Sequence, residues 1–359
     1  MTETAGKRYR VGIAGAGAIA LASAAWLRQA GHEVKLWSPG GQGAEALRTQ
    51  PLEANGVQPC SVTVEVADDA AQLCHVSDVL LLALPVNGHR RVMDALLPSL
   101  RDGQTVIVSS MASLSSLYLY ERARQAGRRI TVASFGTTVL TARCESATQV
   151  RVMTRRKAVG VSALPSADIA EVLALCAALF GGSFFAQDNT LASALANVNP
   201  QSHGPLAVFN WTRIERAENW PQYHCMTPGV SRAIEALDLE RRAVAQAFGI
   251  ELGPIEEHFA RSFGTASARL EDIATELHAK RGGPPGPVRT DTRYVSEDMP
   301  YGLAFVEALG LIAGVPTPAT RTIVDAASLV NGIDYRQQND LLEPLSLANE
   351  TVAGLLARL

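Results

Sequence analysis

Through the first half of the chain, short apolar runs alternate with stretches whose apolar residues recur every three or four positions; from Thr190 onward almost only the second pattern persists. A strand turns successive side chains to opposite faces and a helix returns to one face about every 3.6 residues, so the first half predicts strand–helix–strand units and the second a helical domain. The candidate strands are Tyr9–Ala14, Glu33–Trp37, Val79–Leu84, Thr105–Val108 and Ile130–Ser134, with helices near Ala18–Gln29, Gly88–Leu97 and Leu114–Ala126 between several of them. Two further β-rich runs, "TQVRVMT" and "KAVGVSALP", precede a helix near Ser166–Leu179 and a short strand at Phe184–Ala186. Beyond them, Leu206–Ala217, Ser231–Ala247 and Tyr301–Ala313 read as amphipathic helices. The expected fold is α/β: a doubly wound parallel sheet over residues 1–188, then an all-helical domain over 189–359. The Gly/Pro-rich break "RGGPPGP" at Arg281–Pro287 reads as an internal loop.

A length of 359 residues independently favours two domains. With 47% apolar residues and a formal charge of −3, the chain reads as an ordinary soluble protein without the basic footprint that nucleic acid needs. The five cysteines, Cys60, Cys74, Cys144, Cys176 and Cys225, have neither disulfide-like nor metal-ligand spacing, so reduced thiols and no metal are expected. Neither a secretory n-region nor an apolar run of about 20 residues is visible, which places the expected protein in the cytoplasm, away from membranes.

The most informative local sequence is "YRVGIAGAGAIALASAAWLRQAGHEVKLWS". A strand enters Gly15-Ala16-Gly17-Ala18-Ile19-Ala20, a helix follows, and a second strand begins after His32, which is the frame of a Rossmann dinucleotide fingerprint. Gly15 suits the tight turn, Gly17 the close approach of a pyrophosphate, Ala18 the helix start, and Ala20 close helix–strand packing. FAD uses the same turn. At the end of the second strand, in "VKLWSPGGQ", Ser38 stands where an acid would bind the ribose of NAD and repel the 2′-phosphate of NADP. With Gly40, Gly41 and Arg48 beyond it, NADP is expected over NAD; the competing reading has Ser38 merely opening a turn.

In the helical half, "NVNPQSHGPLAVFNWTRIE" sets His203 among prolines and glycine. Pro200 and Gly204-Pro205 are expected to bend or break the helix here and to leave Asn197, Asn199 and His203 facing a cleft rather than a core, although an isolated histidine also serves as a packing residue.

The fingerprint at Gly15–Ala20, "NVNPQSH" followed by "FNWTRIE", and "DTRYVSEDMPYGLAFVEALGLIAGVPTP" at Asp291–Pro318 together resemble the opine dehydrogenases of the octopine/nopaline type, in order and over nearly the whole chain. That resemblance implies reductive condensation of an amino acid with a 2-oxo acid such as pyruvate. It also implies His203 as the acid/base, with Asp298 paired to it. One departure is "VSSMASLSS" at Val108–Ser116, which lacks the glycine-rich turn expected after that strand.

The chemistry is consistent with these residues. Joining an amine to a carbonyl and reducing the imine needs a group that moves protons near neutral pH, and imidazole does so when a carboxylate fixes its tautomer. Asp298 follows the Gly/Pro loop at the start of an apolar-periodic helix, where its other natural role is N-capping. Arg143 and Arg293 are the candidate cations for the substrate carboxylates, and Asn199 a candidate polar contact. Ketopantoate reductases and β-hydroxyacid dehydrogenases are the rival enzymes, but they use a lysine, and Lys7, Lys35, Lys157 and Lys280 all stand away from the expected cleft helices. A non-catalytic dinucleotide sensor is the rival from another class, and the apolar C-terminal helices favour a homodimer.

Overall fold

The computed structural model describes residues 7–281 and 284–359, so Gly282 and Gly283 of the "RGGPPGP" break lie outside the described residues. Two compact units meet in sequence between Ala194 and Leu195.

In the first unit the described residues form β1 (Arg10–Ala14), β2 (Glu33–Trp37), β3 (Leu52–Gly56), β4 (Cys60–Val62), β5 (Glu65–Val66), β6 (Val79–Leu82), β7 (Thr105–Val108), β8 (Thr131–Phe135), β9 (Leu140–Cys144), β10 (Gln149–Arg155), β11 (Ala158–Leu164) and β12 (Ser183–Ala186). Eight of these make one sheet in the order β12-β11-β8-β7-β6-β1-β2-β5. Every neighbouring pair is parallel except β8 with β11. Strand order reverses about β1, as in a doubly wound sheet, so the C-terminal end of β1 is the crevice where such sheets take ligands. The register sets Leu36, Ile13, Leu81, Ile107, Ala133 and Ala163 in one row across the sheet. Each of these side chains is buried. β6 is buried at all four positions, because crossover helices cover both faces of a parallel sheet.

The periodicity located this framework, but not a second sheet in the order β4-β3-β10-β9, of which only β10 was visible as a β-rich run. β3 reads "LEANG", with Asn and Gly that disfavour strands, and it pairs with β10, a partner distant in sequence that no local pattern reveals. β9 pairs with its neighbour in sequence β10 but alternates too weakly to read as a strand, and β5 is two residues long, too short for any period to show. This sheet explains the helix Ala18–Gln29, where Ala20, Leu21, Ala22, Ser23, Ala24, Ala25 and Leu27 are all buried. The helix shares one core with residues of both sheets, and its small side chains allow that close packing on two sides.

The second unit is helical, and the β feature recorded among its described residues is an isolated bridge between Pro221 and Pro285. Its helices include Asn199–Phe209, Trp211–Glu215, Pro228–Ala247, Ile255–Phe263, Leu270–Arg281, Ala304–Ala313 and Pro318–Asn331. Leu206, Trp220, Ile234, Leu237, Ile273, Met299, Leu303 and Val324 belong to its core.

Two expectations need correction. The helix bearing His203 is not broken at Pro200 or Pro205: Pro200 occupies its first turn, where the missing N–H has no partner to lose, and the helix runs on through Pro205 to Phe209. The break comes later, at Asn210, whose amide donates to the Leu206 carbonyl before Trp211–Glu215 begins. Likewise Tyr301–Ala313 is not one α-helix, because Met299–Leu303 is wound as a π turn and regular α geometry starts at Ala304. No helix of the described residues is long and apolar enough to cross a membrane.

Candidate active site

The first unit carries the nucleotide fingerprint as expected. Gly15 has φ +131°, and a Cβ there would stand 2.3 Å from the Ala83 carbonyl oxygen, so only glycine makes this turn. At Gly17 a Cβ would meet nothing within 4 Å, and that open space lies at the N-cap of the helix Ala18–Gln29. The helix start has no side-chain cap and no acid in its first turn. Free N–H groups and the positive end of the helix dipole therefore face outward, and the residues present fit a pyrophosphate.

Ser38 is half-buried at the end of β2, where the loop folds closely: a Cβ on Gly43 would lie 2.9 Å from both Ser38 Oγ and Ala16 Cβ. Arg48 does not turn toward this loop. Its guanidinium is held by Glu45 at 3.1 Å, Asp68 at 2.7 Å and the Val66 carbonyl at 3.3 Å. The cation beside the loop is Arg91, an exposed residue of the helix His89–Leu96 whose Nη2 donates to the Pro39 carbonyl at 3.2 Å. The sequence reading missed Arg91, because it comes to the loop from another crossover helix and no spacing links the two.

The segment "VSSMASLSS" also has an answer. Ser110, Ser113 and Leu114 take positive φ, so the glycine-like conformations are present without glycine. Each costs on the order of 1–3 kcal/mol, and such strain concentrates beside functional sites. Behind the loop, His89 is fully buried, with Nδ1 2.9 Å from Ser115 Oγ and Nε2 3.1 Å from the Leu84 carbonyl. Burial pushes its imidazole down to about 4, against a smaller opposing effect of the Leu84 carbonyl. This histidine stays neutral and ties together the loops that follow β6 and β7.

In the second unit, His203 Nδ1 lies 2.7 Å from Asp298 Oδ2. Their side chains are 13% and 5% exposed. A carboxylate only accepts, so Nδ1–H is the donor, and Nε2 makes no hydrogen bond among the described residues. Asp298 makes no side-chain capping bond at the turn that follows it, so its carboxylate serves the histidine and not the helix end. Two glycines allow the approach. A Cβ on Gly302 would stand 2.3 Å from Pro200 Cγ, and one on Gly204 would stand 2.7 Å from Leu303 Cδ1, so the start of the His203 helix rests directly on the π turn beside Asp298.

A ring covers the imidazole: Tyr294 stacks on His203 with centroids 3.7 Å apart and planes within 4°. The Tyr294 hydroxyl donates to Gln222 Oε1 at 2.5 Å, and burial, then the charge of Asp298, pushes its pKa above the usual phenol value, so it stays protonated. Sequence reasoning passed over Tyr294, although it lies in the same "DTRYVSED" motif as Arg293 and Asp298.

Arg293 is exposed at the start of the short helix Arg293–Ser296, makes no ion pair among the described residues, and is adjacent in sequence to Tyr294. Asn199 opens the His203 helix, half-buried, with its backbone N–H on Asn197 Oδ1 at 3.1 Å. Arg143 belongs to the first unit, where it is exposed on β9, the edge strand of the small sheet, paired in register with Arg151. Lys280, the one lysine of the second unit, is ion-paired to Glu276 on its own helix. No group of His, Cys, Asp and Glu able to hold a metal occurs among the described residues.

Comparison with known proteins joins the two units. Residues 186–331 match the family described as NAD/NADP octopine/nopaline dehydrogenase, alpha-helical domain, and residues 10–113 match the N-terminus of NAD-dependent glycerol-3-phosphate dehydrogenase. The chain is 27% identical over 339 residues to an opine dehydrogenase of Arthrobacter sp. (strain 1C), covering 93% of this chain and 94% of the relative. Among solved structures it is similar to octopine dehydrogenase with NADH and L-arginine, at 18% identity, TM-score 0.77 and 97% coverage of both chains. It is also similar to NADP+-bound yersinopine dehydrogenase, at 16% identity and TM-score 0.73, over 96% of this chain and 99% of the other. A ketopantoate reductase of Ralstonia eutropha JMP134 shares the fold at a lower TM-score of 0.66, with 18% identity over 92% and 99% of the chains.

Proposed function

The chain belongs to the opine dehydrogenase family of the octopine and nopaline type, and from that premise we propose that it condenses the amine of an amino acid with a 2-oxo acid such as pyruvate and reduces the imine, with NADPH preferred over NADH. The product is an N-(carboxyalkyl) amino acid. The observation that carries this reading is the buried His203–Asp298 pair with Nε2 left free.

In this mechanism Nε2 of His203 accepts a proton as the amine becomes nucleophilic and attacks the carbonyl. The resulting imidazolium, stabilised by Asp298, returns the proton to the carbinolamine hydroxyl as water leaves. When bound, the dinucleotide supplies the hydride that reduces the imine carbon. Gly15, Gly17, Ala18 and Ala20 form its phosphate turn in this reading. Arg293 and Asn199 bind substrate carboxylate and polar groups. Arg143, exposed on another sheet, remains the second carboxylate candidate. The preference for NADPH is supported by Ser38 in the acid's place and by the Arg91 guanidinium against the Pro39 carbonyl. Exposed Leu311 and Leu329 on the C-terminal helices support a homodimer, and free thiols such as Cys144 a cytoplasmic setting.

The test is NADPH oxidation with pyruvate and a mixed amino-acid pool, repeated with NADH. Consumption should require both the amine and the oxo acid. Turnover with ketopantoate alone, or none with any pair, would remove the reading, and faster NADH turnover would remove the cofactor preference.

A further inference from the structure

The proposed reaction uses His203 and Asp298 and leaves the ring stacked on them without a role. One hydrogen bond cannot hold an imidazole: Nδ1 anchored on Asp298 Oδ2 still lets the ring turn about the line joining the two atoms. Such rotation carries Nε2 through an arc and takes it off the reacting nitrogen. A second constraint, acting on the ring plane, is needed, and the centroid separation of 3.7 Å with planes within 4° supplies it. At van der Waals contact that face of the imidazole also admits no water.

The covering ring is itself fixed. Its hydroxyl reaches Gln222 Oε1 at 2.5 Å, and Gln222 is buried, with its backbone N–H on the Pro284 carbonyl at 3.2 Å. His203, Gln222 and the Tyr294–Asp298 stretch come from three parts of the second unit and form one chain of contacts. Packing alone would not require parallel rings, since aromatic pairs also commonly meet edge-on.

We propose that Tyr294 is a positioning residue that locks the plane of His203 so that Nε2 alone is presented for proton transfer. This rests on the dehydrogenase reading for its catalytic half and on geometry alone for its structural half.

The full chain is compared with Tyr294→Phe, which keeps the ring, and Tyr294→Leu, which removes it. In Tyr294→Leu, kcat falls by roughly 10- to 100-fold, the scale of a displaced catalytic group, with substrate KM and NADPH affinity near wild type. Tyr294→Phe stays within about threefold of wild type, because the stack and not the hydroxyl orients the ring. Imidazole proton NMR gives an activity-free readout: His203 ring protons, identified by their loss in His203→Gln, are shifted upfield by the ring current in wild type and Tyr294→Phe and revert in Tyr294→Leu. Equal losses in both Tyr294 variants, unchanged kcat in Tyr294→Leu, or a loss expressed wholly in KM overturns the positioning role. Absence of the ring-current shift in wild type overturns the stack. A shifted imidazole in a chain that joins no amine to any oxo acid overturns the dehydrogenase reading and supports the geometric half only.

Discussion

Between His203 Nδ1 and Asp298 Oδ2 the 2.7 Å contact lies in a nearly closed environment, and a charge-assisted bond there is stronger than at a surface. Removing either partner leaves the other without its function, so the two behave as one unit. His203→Ala and Asp298→Ala are each expected to lower kcat by roughly 10²–10⁴, and the double variant to lose little more. Steady-state kinetics of the three variants check this; fully additive losses would make His203 a packing residue. Arg293, exposed and without an ion pair among the described residues, is available to an anion. Arg293→Ala should raise the KM of the amino acid or oxo acid about tenfold or more with NADPH affinity retained. A rise confined to the NADPH KM would assign the guanidinium to the cofactor instead. The His203–Asp298 contact was legible in the sequence because the two residues lie in compact motifs. Arg91 and the role of Tyr294 were not, since a hydrogen bond to a distant loop or a ring stack leaves no spacing signature.

At the scale of elements, the site depends on how closely the His203 helix approaches the π turn Met299–Leu303. Glycine at 302 permits it, and a methyl there would overlap the Pro200 ring. Gly302→Ala should cost about 1–3 kcal/mol by overpacking and lower kcat, as the turn and Asp298 are pushed from the histidine. Urea unfolding and kinetics on the same preparation test both, and an unchanged kcat would show that the two elements shift together. Strands and helices with strong local periodicity were legible: β2, β7 and the helix Ala18–Gln29 stand where the pattern put them. Pro205 misled, because local propensity predicts a break and the packed core overrides it. The element that joins the loops after β6 and β7 is the helix opening on His89, whose imidazole is pushed down from 6.5 to about 4 by burial. A base depressed in the folded state is protonated first in the unfolded chain, so its contribution is intact above pH 6.5 and is lost as pH falls toward about 4. At pH 5 this amounts to about 2 kcal/mol. Buried His32, also lowered by burial, acts in the same direction. The check is therefore a difference: His89→Gln, neutral at every pH, should lose less stability than wild type between pH 7 and 5, and equal slopes would assign the acid sensitivity to other groups.

For the whole molecule, the two compact units divide the motifs: the glycine turn Gly15–Ala20 belongs to one and the His203–Asp298 pair to the other. That division was legible because the hydrophobic period changes near Thr190; the small sheet packed on the helix Ala18–Gln29 was not, because parallel pairing of β3 with β10 is non-local. The helix start at Gly17 has no side-chain cap, so a pyrophosphate binding there would gain charge-assisted bonds from its N–H groups. Ligand that binds only the folded unit stabilises it by mass action, about 2.7 kcal/mol at a hundredfold excess over Kd. For a unit of this size, that corresponds to a rise of roughly 5–10 °C in the melting transition. NADPH should produce the rise, and NADH at equal concentration a smaller one, if Arg91, which donates to the Pro39 carbonyl beside Ser38, reads the 2′-phosphate as proposed. In Arg91→Ala the two cofactors should become equivalent while both still stabilise, since the fingerprint turn is untouched. Calorimetry with each nucleotide decides it: equal shifts in wild type would mean that Ser38 and Arg91 do not read the phosphate, and no shift with either would remove the turn at Gly15–Ala20 as the binding site.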